Sequence, residues 1–193
     1  MKYSKNAEYA YESYLISAEN GWIKWYDKEK TKKKIRLTGT YLQFVMLAAV
    51  IGVSRLFTID IKAFGILGII VLLVLNAIIL LAAVAPMREI LHLIPVSKGR
   101  LDGKCIMSFR NHFSVYNGSV NRGQILISLA LPLIVFASVF GISAVIASGI
   151  LRFFALFMLA ESVYMCYADI YMFFFCIKNI RKNETVFGEY KKV

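Results

Sequence analysis

The residues with the clearest chemical potential lie in one short run, Arg88-Glu89-Ile90-Leu91-His92. Positions 88, 89 and 92 carry the spacing of His-Glu-x-x-His, in which two histidines one helical turn apart bind zinc and the glutamate activates water. Here arginine stands at the first of the two ligand positions. A guanidinium is a fixed cation and no metal ligand. The other suggestive residue is Asp169, nineteen residues into the last apolar stretch, or about 28 Å along a helix. If that stretch runs inward across a membrane, Asp169 reaches the depth of Arg88 and His92. An Arg88–Asp169 ion pair is then expected to join two helices, closing with a guanidinium the site that a metal would otherwise close. Zinc catalysis needs three protein ligands and an open position for water, and the chain has only two histidines, His92 and His112. The expectation is that no cofactor is held. Zinc bound by His92 and Asp169, with His112 swinging in from its loop, is the alternative.

The elements that must carry these residues are apolar spans. The chain has 193 residues, of which 59% are hydrophobic and only 18% charged, with a mean hydropathy of +0.62. Those values exclude a disordered chain, a coiled coil and an ordinary water-soluble globule. Four stretches are long enough to cross a hydrocarbon core of about 30 Å: about 37–57, 63–94, 124–147 and 150–177. The reading is an all-α integral membrane protein with four transmembrane helices. It has a basic amino-terminal segment over 1–36, a membrane domain over 37–178 and a basic tail over 179–193. Of the 23 Lys and Arg residues, all but Arg55, Lys62 and Arg152 fall before span one, in the loop between spans two and three with its flanks, or in the tail. Both termini and the middle loop are therefore expected to be cytoplasmic, in a multi-pass protein of the cell membrane. No secretory signal peptide is expected, since 36 mostly polar residues precede the first apolar run.

Several other features call for a role. The net charge of +11 is spread over chain ends and span flanks, which suits an anionic lipid leaflet and argues against a nucleic-acid partner. Tyr11, Tyr14, Leu15, Ala18, Trp22 and Trp25 recur at helical spacing, with Gly21 as a break. Followed by Lys32, Lys33 and Lys34, they suggest a helix lying on the lipid surface, or a docking helix for a partner protein. Cys105–Tyr116 is rich in Phe, Val and Tyr and flanked by turn residues, the pattern of a small cytoplasmic hairpin. Glu161 and Asn76 lie at comparable depth within spans four and two, and a polar clasp between them is expected. A proton or ion path is the functional alternative. Pro86 and Pro132 should kink their helices.

Taken together, these pieces resemble a bacterial membrane family of zincin peptidases, long catalogued as a domain of unknown function and similar in layout to site-2 proteases. The matching segments are Arg88-Glu89-Ile90-Leu91-His92, then Tyr116-Asn117-Gly118-Ser119-Val120-Asn121-Arg122-Gly123, then Leu131-Pro132-Leu133, and last Tyr167-Ala168-Asp169-Ile170. The resemblance covers about residues 63 to 178. It implies a first ligand position at Arg88, a catalytic-base position at Glu89, and metal-ligand positions at His92 and Asp169.

The function expected from this combination is that of a catalytically silent relative. Such a protein keeps the peptidase scaffold and serves as a peptide-binding, accessory or self-protection protein, with a peptide or another membrane protein as partner. The alternatives are an active zinc-dependent membrane peptidase and a small subunit of a membrane transporter.

Overall fold

The computed structural model describes residues 2–3, 22–24, 28–56, 65–101, 105–108, 113–116, 118–187 and 190–192. They are mostly helical. Helix α1 spans Lys28–Leu56. Helix α2, Gly65–Ile79, runs through a π-helical turn at Leu80–Val84 into α3, Ala85–Val96. Helix α4 spans Arg122–Ile146, α5 Gly149–Met165 and α6 Tyr167–Asn179. Among the described residues, three stretches are long and apolar enough to cross a membrane: Lys33–Gly52, Leu67–Val96 and Arg122–Ile146. The pair α5–α6 passes the same test together and is bent by 42°. Large apolar side chains point outward along these helices, among them Leu67, Val145 and Ile146, each at least three-quarters exposed. Such a surface is compatible with a hydrocarbon environment.

Three features depart from the sequence expectation. The first helix begins at Lys28 rather than near residue 37. No glycine or proline interrupts the Lys- and Glu-rich stretch before Gly39, so Lys32, Lys33 and Lys34 extend the apolar helix by its early turns instead of following a separate one. The fourth span is not one straight helix. The hydroxyl of Ser162 bonds back to the carbonyls of Met158 and Leu159, a competition with the backbone ladder that bends helices, and the break falls at Cys166. The chain is also not purely α.

Among the described residues, seven short strands build two sheets. Strands β1 (Lys2–Tyr3), β3 (Cys105–Ser108) and β4 (Phe113–Tyr116) pair in the order β1-β3-β4. In that sheet β3 and β4 are antiparallel, with Cys105 opposite Tyr116 and Met107 opposite Ser114. The second sheet has the order β2-β7-β6-β5, from Trp22–Lys24, Tyr190–Lys192, Thr185–Phe187 and Val120–Asn121. Trp22, read from spacing as part of a helical aromatic stripe, lies on a strand opposite Lys192. Pairing with the carboxy-terminal segment overrides the local period, which sequence spacing alone cannot register. Tyr11, Tyr14, Leu15, Ala18, Gly21 and Trp25 lie outside the described residues.

The chain forms two compact units. One comprises Met1–Ile35, Pro86–Pro132 and Asp169–Val193; the other comprises Arg36–Ala85 and Leu133–Ala168. The first contains both sheets and a core of Cys176, Ile180 and Val186 packed by Ile125, Leu126 and Leu129. Its local punctuation is legible. Helix α3 ends in a Schellman motif: Gly99 N–H bonds to Ile94 C=O at 2.8 Å and Lys98 N–H to Pro95 C=O at 3.4 Å, with Lys98 left-handed at φ 54°. Helix α4 begins in a reciprocal cap, Gln124 N–H to Asn121 Oδ1 at 2.9 Å and Asn121 N–H to Gln124 Oε1 at 3.1 Å. These two ends bracket the hairpin β3–β4 and bring it back beside α3.

Candidate functional site

Proline shapes two of the three helices that supply the cluster, α3 and α4. At the head of α3, Ala85 N–H bonds five residues back to Leu80 C=O. The next residue, Pro86, has no N–H, and its ring would clash with a carbonyl four residues earlier; the wider π turn just before it relieves that contact. In α4, Pro132 leaves the helix unbroken. It cannot donate to Ser128 C=O, so that carbonyl is left for another donor. His92 supplies it: its Nδ1 lies 2.8 Å from Ser128 O. A carbonyl only accepts, so Nδ1 carries the hydrogen. Ser128 Oγ donates in return to His92 C=O at 2.7 Å.

The other His92 nitrogen, Nε2, lies 3.4 Å from Asp169 Oδ2. Asp169 stands in the first turn of α6, where the helix dipole favours a carboxylate. Its main partner is Arg88, which approaches side-on. Arg88 Nε donates to Asp169 Oδ2 at 3.0 Å, and Nη2 donates to Oδ1 at 2.7 Å and to Oδ2 at 2.9 Å. The far edge of the same guanidinium reaches Glu89, Nη1 to Oε1 at 2.7 Å. The second oxygen of Glu89 accepts from Ser114 Oγ on β4 at 2.7 Å. Glu89 and Asp169 side chains are only 6% and 8% exposed, so their charges are almost withdrawn from water.

The structure thus brings together four residues singled out by sequence, Arg88, Glu89, His92 and Asp169, and adds Ser114 and Ser128. The signal for Ser128 was present in the sequence, since a proline four residues on leaves its carbonyl without a helical donor. Ser114 carries no such mark, because its role depends on the sheet seating β4 against α3. His112 lies outside the described residues.

Zinc does not fit this arrangement. Among the described residues, no group of three or more His, Cys, Asp and Glu side chains could hold a metal ion. At the cluster itself the guanidinium takes both oxygens of Asp169 and one of Glu89. That leaves one imidazole nitrogen, against the three protein ligands zinc requires.

The clasp expected between Asn76 and Glu161 does not form. Asn76 is 3% exposed, and its side-chain oxygen is buried without a hydrogen-bond partner. Glu161 is half-buried and makes no bond to it. Equal depth on two helices fixes height and leaves rotation about each axis open. Of the three lysines assigned to the lipid surface, Lys33 and Lys34 are exposed, and Lys34 Nζ lies 5.9 Å above the ring of Tyr171.

Comparison with protein-family models, with curated proteins and with solved structures found no match.

Removing one partner of the Arg88–Asp169 pair strands a nearly buried charge, at a cost of about 3–5 kcal/mol. Arg88→Ala and Asp169→Ala should each destabilise the protein by that order in denaturant unfolding from micelles. The double variant should lose clearly less than the sum. Arg88→Lys should not restore the wild-type value, because an ammonium cannot lie along a carboxylate edge and also reach Glu89. Strictly additive losses would show that the two side chains are not coupled.

Proposed function

We propose that this chain is a multi-pass protein of the cell membrane, built on a zincin-peptidase-like layout and catalytically silent. It acts by holding a peptide or membrane-protein partner rather than by cleaving one. The observation that carries this reading is the place of Arg88. Its guanidinium stands at the first ligand position of the motif and binds the carboxylates of Asp169 and Glu89, the ligand and base positions that the family resemblance implies. A base must be free to take a proton from water. Glu89 is instead held by Arg88 on one oxygen and Ser114 on the other. The Arg88–Asp169 pair in this reading replaces the metal as the tie between α3 and α6.

The apolar surface of the long helices supports insertion in a bilayer. The distribution of Lys and Arg supports both termini lying in the cytoplasm. A phosphatase reporter, active only when exported, should stay silent when fused after Val193. Robust activity from that fusion would invert the topology.

The catalytic half of the reading is tested with metal. Purified wild-type protein incubated with zinc and desalted should retain far less than one zinc per chain by elemental analysis. Arg88→His restores the His-Glu-x-x-His spacing and should raise retention if His92 and Asp169 can still converge on an ion. About one zinc per wild-type chain, lost in His92→Ala, would overturn the proposal.

A further inference from the structure

Within the first unit, the exits of α3 and α6 and the entry of α4 carry cations that nothing answers. Lys98 and Arg100 follow α3, Lys178 lies in the last turn of α6, and Arg181 and Lys182 follow it; all are exposed. Arg122 opens α4 and is partly buried, with its Nε closed to water and without a hydrogen-bond partner. Among the described residues, none of these six side chains makes a hydrogen bond or an ion pair. The carboxylates whose side chains are described in this unit, Glu89, Asp169 and Glu184, are all buried. Arg88 takes the first two, and Glu184 Oε2 accepts from the N–H of Arg181 at 2.8 Å.

Contacts inside the unit seat both helix ends beside the start of α4. Arg122 shares a helix face with Ile125, Leu126 and Leu129, at spacings of three, four and seven. Those three pack against Cys176 and Ile180 at the end of α6. Just before Arg122, Asn121 pairs with Thr185, three residues beyond Lys182. Gln124 Nε2 donates to the carbonyl of Pro95, in the last turn of α3, at 3.4 Å. On all three helices apolar surface gives way to charge over a short distance. Exposed Ile94 lies four residues before Lys98, exposed Phe174 four before Lys178, and exposed Ile127 five after Arg122. Each step covers about 6–8 Å of helix axis. The headgroup layer on one face of a bilayer is about 5–8 Å thick.

We propose that this end of the first unit is a binding surface for an anionic phospholipid. Its phosphate meets Arg122 and the cations that end α3 and α6, and its acyl chains lie along Ile94, Ile127 and Phe174. The inference rests on the membrane reading above and adds to it a headgroup class and a place. Burial of Nε anchors the Arg122 side chain and leaves its terminal nitrogens as the open edge, the donors that a phosphate accepts in pairs. A guanidinium partly withdrawn from water without a counterion is costly, and a phosphate supplies the missing charge. Clustered cations with no exposed carboxylate beside them favour an anionic headgroup over one that carries its own ammonium. The apolar side chains one turn away give hydrocarbon chains a surface that a soluble phosphate would not use.

The test uses the purified full chain in neutral-detergent micelles holding equal amounts of phosphatidylglycerol and phosphatidylcholine, read by native mass spectrometry. The chain should retain phosphatidylglycerol roughly tenfold more than phosphatidylcholine. Arg122→Gln should cut that preference severalfold. So should the triple variant Lys178→Gln, Arg181→Gln and Lys182→Gln, whose side chains are exposed and carry no packing. Arg36→Gln removes an exposed charge outside this unit and should leave the preference unchanged. Excess sn-glycerol 3-phosphate, a headgroup phosphate without chains, should not displace the lipid. Equal retention of the two lipids by the wild type would overturn the inference, as would an unchanged preference in both the Arg122 and the triple variant. A loss in Arg36→Gln as large as in Arg122→Gln would reduce the effect to bulk charge and overturn it. Displacement by glycerol phosphate would make this a site for soluble phosphates and overturn it too. An alkaline wash of vesicles holding the chain separates this inference from the membrane reading. A chain that stays inserted but lacks the preference refutes the inference alone, whereas a chain stripped from the vesicles refutes both.

Discussion

Two carboxylates nearly out of water, Glu89 and Asp169, are costly to bury without a cation beside them, and Arg88 is that cation. The planar guanidinium serves both at once. One edge lies along Asp169 while the remaining nitrogen reaches Glu89. A single side chain thereby fixes α3 against α6. Through Ser114 the same charge balance extends to β4, and through His92 it extends to Ser128 on α4. Four elements from distant parts of the chain depend on one residue. A metal ion would make the same tie with a different donor set, and the substitution of arginine exchanges coordination chemistry for charge-assisted hydrogen bonding.

The helices that carry these residues hold several backbone irregularities. Pro132 removes a donor from inside α4, and the freed carbonyl fixes the tautomer of His92. Pro86 is preceded by a π turn at the head of the helix that carries Arg88, Glu89 and His92. The hydroxyl of Ser162 bonds to backbone one turn before the bend at Cys166, and α6 begins at the next residue, with Asp169 in its first turn. Of these, the irregularity at Pro132 bears on the cluster directly, since the carbonyl it frees on Ser128 holds His92.

Much of this was legible in the sequence. The long apolar stretches and the hairpin at Cys105–Tyr116 follow from hydropathy and turn chemistry, which are local. The meeting of Arg88 with Asp169 was readable because rise per residue converts sequence position into depth, and two charged groups at one depth in an apolar setting need each other. The same arithmetic failed for Asn76 and Glu161, where depth agreed and no bond resulted, because helical phase relative to a neighbour is set by packing. Trp22 failed for a related reason. Its spacing suited a helix, yet its partner is a strand near the other end of the chain. Ser114 enters only through sheet pairing between β3 and β4. Information local to a segment was readable; information held in pairings between segments was not.

The guanidinium of Arg88 is locked between the carboxylates of Asp169 and Glu89. Arginine-selective 15N NMR of the protein in micelles observes this group directly, with the resonance assigned by its loss in Arg88→Lys. A guanidinium held on both edges should show separate Nη1 and Nη2 signals, slow rotation about its terminal bonds and an Nε–H protected from exchange with water. A single averaged Nη signal with rapid exchange would mean that Arg88 is free at the surface, and the account built on it would fail.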